Sequence, residues 1–267
     1  VTSPRSEKPW LAPESPELVW FGGDDATRFL NDLISQEIGD LEPGGAKRSF
    51  LLGPQGKLQF LLWVIRVDDR IGLVTDPGRG GELASTLGRY RIRVDVAIDA
   101  ETSPVWVVVG KWPGYDISWP NTERHLFVGD RPDLSVGTAE EYERLRIEAG
   151  EPAWGRDVDE GTIPHESGLV SSAVDFDKGC FLGQELVARI DSRGGNTPRH
   201  LRRIETSGGS LAVGASLISG DREVGTVTSA VGGVGLALVR REVEIGDEVV
   251  AGDVDAVVRG LPPNSRA

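Results

Sequence analysis

The chain has 267 residues, with 42 acidic against 29 basic side chains and a formal net charge of −13. One cysteine rules out a disulfide framework, and with only three scattered histidines it leaves no internal zinc site of the usual Cys/His kind. The acidic balance argues against gripping nucleic acid or anionic membrane by charge, and no run approaches the roughly 18 apolar residues of a membrane span, so neither partner is expected.

Val1 to Pro16 carries four prolines without an apolar core and reads as a loose leader, not a signal peptide. Asp24 to Ser35 places Ala26, Phe29, Leu30, Leu33 and Ile34 on one helical stripe. Phe50 to Val67 holds a tight turn, Gly53-Pro54-Gln55-Gly56, between two apolar runs, and Ile71 to Thr75 continues as the return strand of a hairpin. Gly81 to Tyr90 reads as a helix, and Tyr90 to Ile98 alternates as a half-buried strand. Val105 to Val109 is a further strand, and Thr138 to Ala149 a helix whose Thr138 and Glu141 have capping-box spacing.

Asp157 to Ser172 is polar and irregular, and Phe181 to Ile190 reads as a short helix. The segment Arg193 to His200, with Gly194, Gly195 and Pro198, is the natural linker. Beyond it, from about Leu211 to Val258, short valine-rich runs punctuated by glycines predict a compact antiparallel barrel or sandwich. With no disulfides and no export signal, the cytoplasm is the expected location.

The sharpest feature is Lys178-Gly179-Cys180-Phe181-Leu182-Gly183-Gln184-Glu185. A helix start and a nearby ammonium both favour a thiolate, so Cys180 and Lys178 are the candidate catalytic pair. The alternative is a cysteine that only packs, with glycines that only shape a turn.

That octapeptide, followed by Val187-Ala188-Arg189, closely resembles the signature of the YgfZ-type folate-binding proteins, a branch of the superfamily of the glycine-cleavage T-protein. The resemblance extends upstream in the same order. Phe29-Leu30-Asn31-Asp32-Leu33, Leu52-Gly53-Pro54-Gln55-Gly56-Lys57 and Gly88-Arg89-Tyr90-Arg91-Ile92-Arg93 are similar to family blocks. So are Arg146-Ile147-Glu148-Ala149-Gly150 and Pro164-His165-Glu166-Ser167-Gly168-Leu169. The resemblance implies an α+β fold, a GcvT-like disc of three subdomains around a central folate cavity with a C-terminal β-barrel. The expected division is a leader over 1–16, two interleaved subdomains over 17–195 and the barrel over 196–262.

It further implies tetrahydrofolate or a derivative as the cofactor, with Glu166 accepting hydrogen bonds from the pterin. Gln184, Glu185 and Gln59 are candidate neighbours of the ligand. Arg193 and Arg199 both fit as partners of its anionic glutamate tail. The true aminomethyltransferases carry an acidic pair after the glycine turn, where this chain has Gln59-Phe60. Glutamine cannot accept and return a proton at neutral pH, which argues against the T-protein reaction. The leading expectation is therefore a tetrahydrofolate-binding accessory protein supporting iron–sulfur cluster assembly or repair, with iron–sulfur client or assembly proteins as transient partners. The alternatives are a folate-dependent one-carbon transferase or demethylase, in which Asp175 or Asp177 substitutes for the missing acids, and a folate-independent scaffold.

Overall fold

The structure, a computed structural model, describes residues 8–99 and 104–263. Strands β1 (Trp10–Leu11) and β2 (Glu17–Gly22) lead into helix α1 (Ala26–Asn31). Strands β3 (Ala46–Leu52), β4 (Leu58–Val67) and β5 (Arg70–Thr75) then form a meander, followed by α2 (Gly80–Gly88) and β6 (Ala97–Asp99). These build a five-stranded sheet of order β3-β4-β5-β2-β6, antiparallel at all four pairings.

The sheet is covered on both faces. Phe60, Leu62 and Val64 of β4 point to one side, where they pack with Phe29 and Leu30 of α1 and Leu83 and Leu87 of α2. Ile65, with Leu18, Trp20 and Val74, points to the other. There it meets a second sheet, order β1-β7-β9-β8, made with β7 (Val105–Val109), β8 (Tyr115–Asp116) and β9 (Arg124–Val128). Period-2 alternation thus assigns one set of side chains to the helices and the other to a facing sheet.

Helix α3 (Ala139–Ala149) starts on Thr138, whose hydroxyl accepts the Glu141 N–H at 3.1 Å, and ends on Gly150 at φ +72°. A 3-10 turn (Pro164–Ser167), α4 (Val170–Ala173) and α5 (Gln184–Asp191) carry the chain to the barrel. The barrel is closed in the order β10-β13-β12-β11-β14-β15, from β10 (Arg199–Glu205), β11 (Ser216–Ser219), β12 (Arg222–Val231), β13 (Val234–Arg240), β14 (Glu248–Ala251) and β15 (Val254–Arg259). Val227, Val239, Val249 and Val258 fill its interior.

A buried ion network joins the barrel to the body. Arg146 of α3 bonds Asp157 Oδ2 at 2.7 Å and Ser229 Oγ at 2.6 Å, while Ser229 Oγ donates to Asp157 Oδ1 at 2.8 Å.

Four expectations change. Tyr90 to Ile98 is not a strand: Ile92 is 72% exposed, and only Ala97–Asp99 pairs. Arg93 sits at φ +56°, and the Asp95 N–H is taken by Asp25 Oδ2 at 2.9 Å, so this stretch caps the start of α1 instead of joining the sheet. Helix α1 ends at Asn31, because the chain turns to bridge Ile34 with Leu51, although all five stripe residues are buried as expected. Within the expected leader, residues 1–7 lie outside the described residues. Trp10–Leu11, however, pairs with Val108–Val109 as a buried strand, and Trp10 packs edge-on against Tyr142 at 6.3 Å. Finally, α5 begins at Gln184 and not at Phe181, because Gly183 takes φ +75°.

Candidate functional site

The principal cavity, about 760 Å³, lies where the three parts meet. The meander contributes Trp63, Thr75 and Asp76, the second sheet Trp119 and Arg124, and the barrel Val231. The volume suits a ligand of cofactor size.

Arginines stacked on aromatic rings shape its walls. Arg79 lies between Phe60 and Trp154, its Cζ at 4.1 and 4.2 Å from the ring centroids. Arg48 stacks on Trp63 at 4.6 Å and bonds Glu151 Oε2 at 2.8 Å. Such stacking fixes a guanidinium plane while leaving its edge donors free.

Four lining side chains carry a buried polar atom with no hydrogen-bond partner: Thr75 Oγ1, Asp76 Oδ2, Trp119 Nε1 and Arg124 Nε. Buried polar groups are ordinarily satisfied, so their concentration on one cavity makes it the candidate ligand surface. Burial pushes the Asp76 carboxyl up to about 6, against the opposing pull of Arg79. None of these residues carried a signal in the sequence. Asp76 and Arg124 come from strand ends about fifty positions apart, and only the packing of the two sheets brings them to one space.

The eight sequence-derived candidates do not line this cavity. Glu166 is buried but engaged: Oε2 accepts the Ile163 N–H at 3.2 Å and Oε1 faces Arg199 Nε at 3.4 Å. It therefore ties the 3-10 turn to β10, and both of its oxygens are engaged within the chain. Its neighbour His165 lies 3.9 Å from Asp191, with both ring nitrogens unbonded and its pKa lowered by burial. Arg193 and Glu185 are exposed, Gln184 Oε1 accepts the Phe181 N–H at 3.0 Å, and the Gln59 carbonyl accepts from Arg79 at 3.0 Å. Among the described residues no cluster of histidine, cysteine or acidic side chains could hold a metal ion.

The loop carrying Cys180 is a separate feature. Lys178 Nζ donates to the carbonyls of Asn31 (2.7 Å), Ile34 (2.9 Å) and Gln36 (2.9 Å). Burial draws the amine down to about 8, opposed by Glu37, Asp175 and Asp32, so it keeps its proton at neutral pH. Asp175 Oδ1 accepts the N–H groups of Asp177 and Lys178, which makes it a turn-former and not a cavity acid. Cys180 itself is exposed. It stands four residues ahead of α5, beyond the reach of a dipole that fades within the first turn. Lys178 is thus committed to three backbone carbonyls, and the thiol stands ahead of the helix start. Lysine and loop form a clamp that presents the thiol outward.

Two interleaved sheets and a closed six-stranded barrel around a common cavity define a GcvT-like protein. The chain matches the crystal structure of glycine cleavage system aminomethyltransferase T from Bartonella henselae with a TM-score of 0.83 at 18% identity, covering 95% of this chain and 86% of that one. At that identity the likeness defines the fold alone. Residues 199–263 match the family described as CAF17, C-terminal beta-barrel domain. An uncharacterized protein of Haemophilus influenzae is 25% identical, covering 80% of this chain and 81% of its own. The mitochondrial iron-sulfur cluster assembly factor IBA57 of Mus musculus is 31% identical, over 84% of this chain and 75% of its own. The chain belongs to the IBA57 family, the YgfZ/IBA57-type branch of the GcvT-like proteins. No helix among the described residues is long and apolar enough to cross a membrane.

Proposed function

We propose that this chain is an iron–sulfur cluster assembly or repair factor that holds a reduced folate in its central cavity and meets its partners through the Cys180 loop. The observation that carries the reading is the coexistence, in a chain of the IBA57 family, of an outward-facing thiol on a clamped loop and a cavity with unsatisfied polar atoms. Tetrahydrofolate fits that donor set. Its pterin amino and ring N–H groups can donate to the Asp76 carboxylate, and the aromatic and apolar wall around Trp63 suits its rings. The Glu166–Arg199 contact ties the 3-10 turn to β10 of the barrel.

One thiolate cannot hold a cluster alone, since such clusters usually take about four. Cys180 therefore engages a cluster, a sulfur species or a client thiol only together with a partner protein. The test is replacement in cells that lack their own member of this family. Cys180→Ala should fold and bind tetrahydrofolate as the natural chain does, yet fail to restore the activity of iron–sulfur enzymes. Full restoration by that variant would refute the thiol role.

A second reading, folate-dependent one-carbon transfer, gains support from Asp76 alone: a cavity carboxyl titrating at about 6 is poised to exchange a proton near neutrality. Steady formation of methylene- or methyl-folate from tetrahydrofolate and a methylamine-type donor would favour it over the accessory role.

A further inference from the structure

We propose that the cavity wall at the start of β9 is an anion subsite, in which the Arg124 guanidinium and the Trp119 indole N–H bind a carboxylate or phosphate group of the ligand. The proposal deepens the reading of this cavity as a ligand site and rests on it.

Charge pairing around the cavity is the first observation. Arg48 is paired with Glu151, Arg79 with Glu82, Arg156 with Glu143, and Arg146 with both Glu143 and Asp157. Arg124 is the exception. It is 5% exposed, and among the described residues no carboxylate lies within 4.0 Å of it. Its Nη2 donates to the Tyr142 hydroxyl at 2.8 Å and its Nη1 to the Ile117 carbonyl at 3.4 Å, which leaves Nε unbonded. A guanidinium cannot escape by losing its proton, so a buried one without an acid calls for an anion from elsewhere.

Geometry is the second. Arg124 Cζ sits 3.5 Å from the Trp119 ring centroid, so the indole holds the guanidinium plane by its face. The indole nitrogen of that same tryptophan, itself 5% exposed, is also without a partner. Two unsatisfied donors on one wall, one of them charged, ask for an acceptor of negative charge. On the meander side of the cavity, Asp76 Oδ2 and Thr75 Oγ1 stand unbonded, and a carboxylate there asks for donors. The cavity therefore selects a ligand with N–H donors in one part and an acid group in another. Reduced folate has both, its acid being the glutamyl carboxylates. Free phosphate offers the same chemistry to Arg124 from a second source.

The test is calorimetric titration of the full chain at neutral pH with four probes: tetrahydrofolate, tetrahydropterin without the glutamate tail, p-aminobenzoylglutamate and inorganic phosphate. Arg124→Gln should weaken tetrahydrofolate and p-aminobenzoylglutamate by at least about tenfold, as loss of a buried charged partner does, and leave tetrahydropterin within about twofold. Trp119→Phe should weaken the same two probes by a smaller factor. Should Arg124→Gln fail to fold, Arg124→Lys and Trp119→Phe carry the comparison. Arg124-dependent binding of phosphate without p-aminobenzoylglutamate would keep the subsite and assign it to a phosphate. If no folate binds but either anion does so through Arg124, the folate reading fails and the subsite stands. Equal losses for tetrahydrofolate and tetrahydropterin, unchanged affinities in Arg124→Gln, or no binding of any anion by the natural chain would each overturn the subsite.

Discussion

Gly183 and Gly56 touch backbone to backbone: a Cβ on Gly183 would lie 3.1 Å from Gly56 Cα, and a Cβ on Gly56 would lie 2.8 Å from the Gly183 carbonyl. The turn between β3 and β4 is thereby docked onto the residue just ahead of α5. Both glycines also hold left-handed φ angles, +74° and +75°. Space and conformation exclude a side chain at either position.

Gly183→Ala should accordingly lower stability by about 2–4 kcal/mol in urea unfolding, because the new methyl would also lie 2.5 Å from the Gly53 carbonyl. Gly179→Ala is the contrast. No atom lies within 4 Å of its Cβ position and its φ is not positive, so a change within about 0.5 kcal/mol is expected. Equal losses from both substitutions would contradict the docking account.

Lys178 acts as a staple between the Cys180 loop and the end of α1. Lys178→Met should cost about 2–4 kcal/mol, since three carbonyls lose a charged donor at once. Amide exchange over 175–183 should accelerate. Alkylation of Cys180 should not slow in that variant; a tenfold-order fall would show that the amine activates the thiol after all.

Asp76 sets a pH dependence. Its folded pKa, about 6, stands above the ordinary 3.8, so the folded state binds more protons than the unfolded one between those values. Stability from this group is greatest at low pH and falls as pH rises from about 3.8 through 6. Asp76→Asn removes that penalty. It should be more stable than the natural chain at neutral pH, by on the order of 1–3 kcal/mol in urea unfolding, with the advantage shrinking toward pH 4. Tetrahydrofolate affinity in the natural chain should tighten as pH rises through about 6, because the ligand's donors favour the ionised carboxylate.

Asp157 holds the barrel to the body through Arg146 and Ser229. Asp157→Ala leaves a buried guanidinium with one acid fewer, and a loss of about 3–5 kcal/mol is expected. Calorimetric unfolding should then separate into a barrel transition and a body transition.

What could be read in the sequence was local. The β3–β4–β5 meander, the capped helix from Thr138 and the glycine-spaced barrel each carry their own period or turn chemistry, and each formed. The stretch from Tyr90 to Ile98 failed because its alternation competes with the Asp25–Asp95 capping bonds, which no spacing rule registers. The Lys178–Cys180 motif lies on a loop pinned to the end of α1. No local rule registers that three carbonyls of residues 31–36 claim the Lys178 amine from across the fold. Asp76, Trp119 and Arg124 looked like ordinary strand-end residues. Their significance arises from long-range packing of two sheets, and from what they lack in the way of partners.

The central claim is that the cavity, through Asp76 and not Glu166, holds a reduced folate. Melting temperature at saturating tetrahydrofolate tests it most directly, since ligand at about 100 times its Kd stabilises the native state by about 2.7 kcal/mol. The natural chain and Glu166→Ala should both show the ligand-induced rise, and Asp76→Ala should lose most of it. No rise in the natural chain, or a rise that survives in Asp76→Ala and vanishes in Glu166→Ala, would contradict the account.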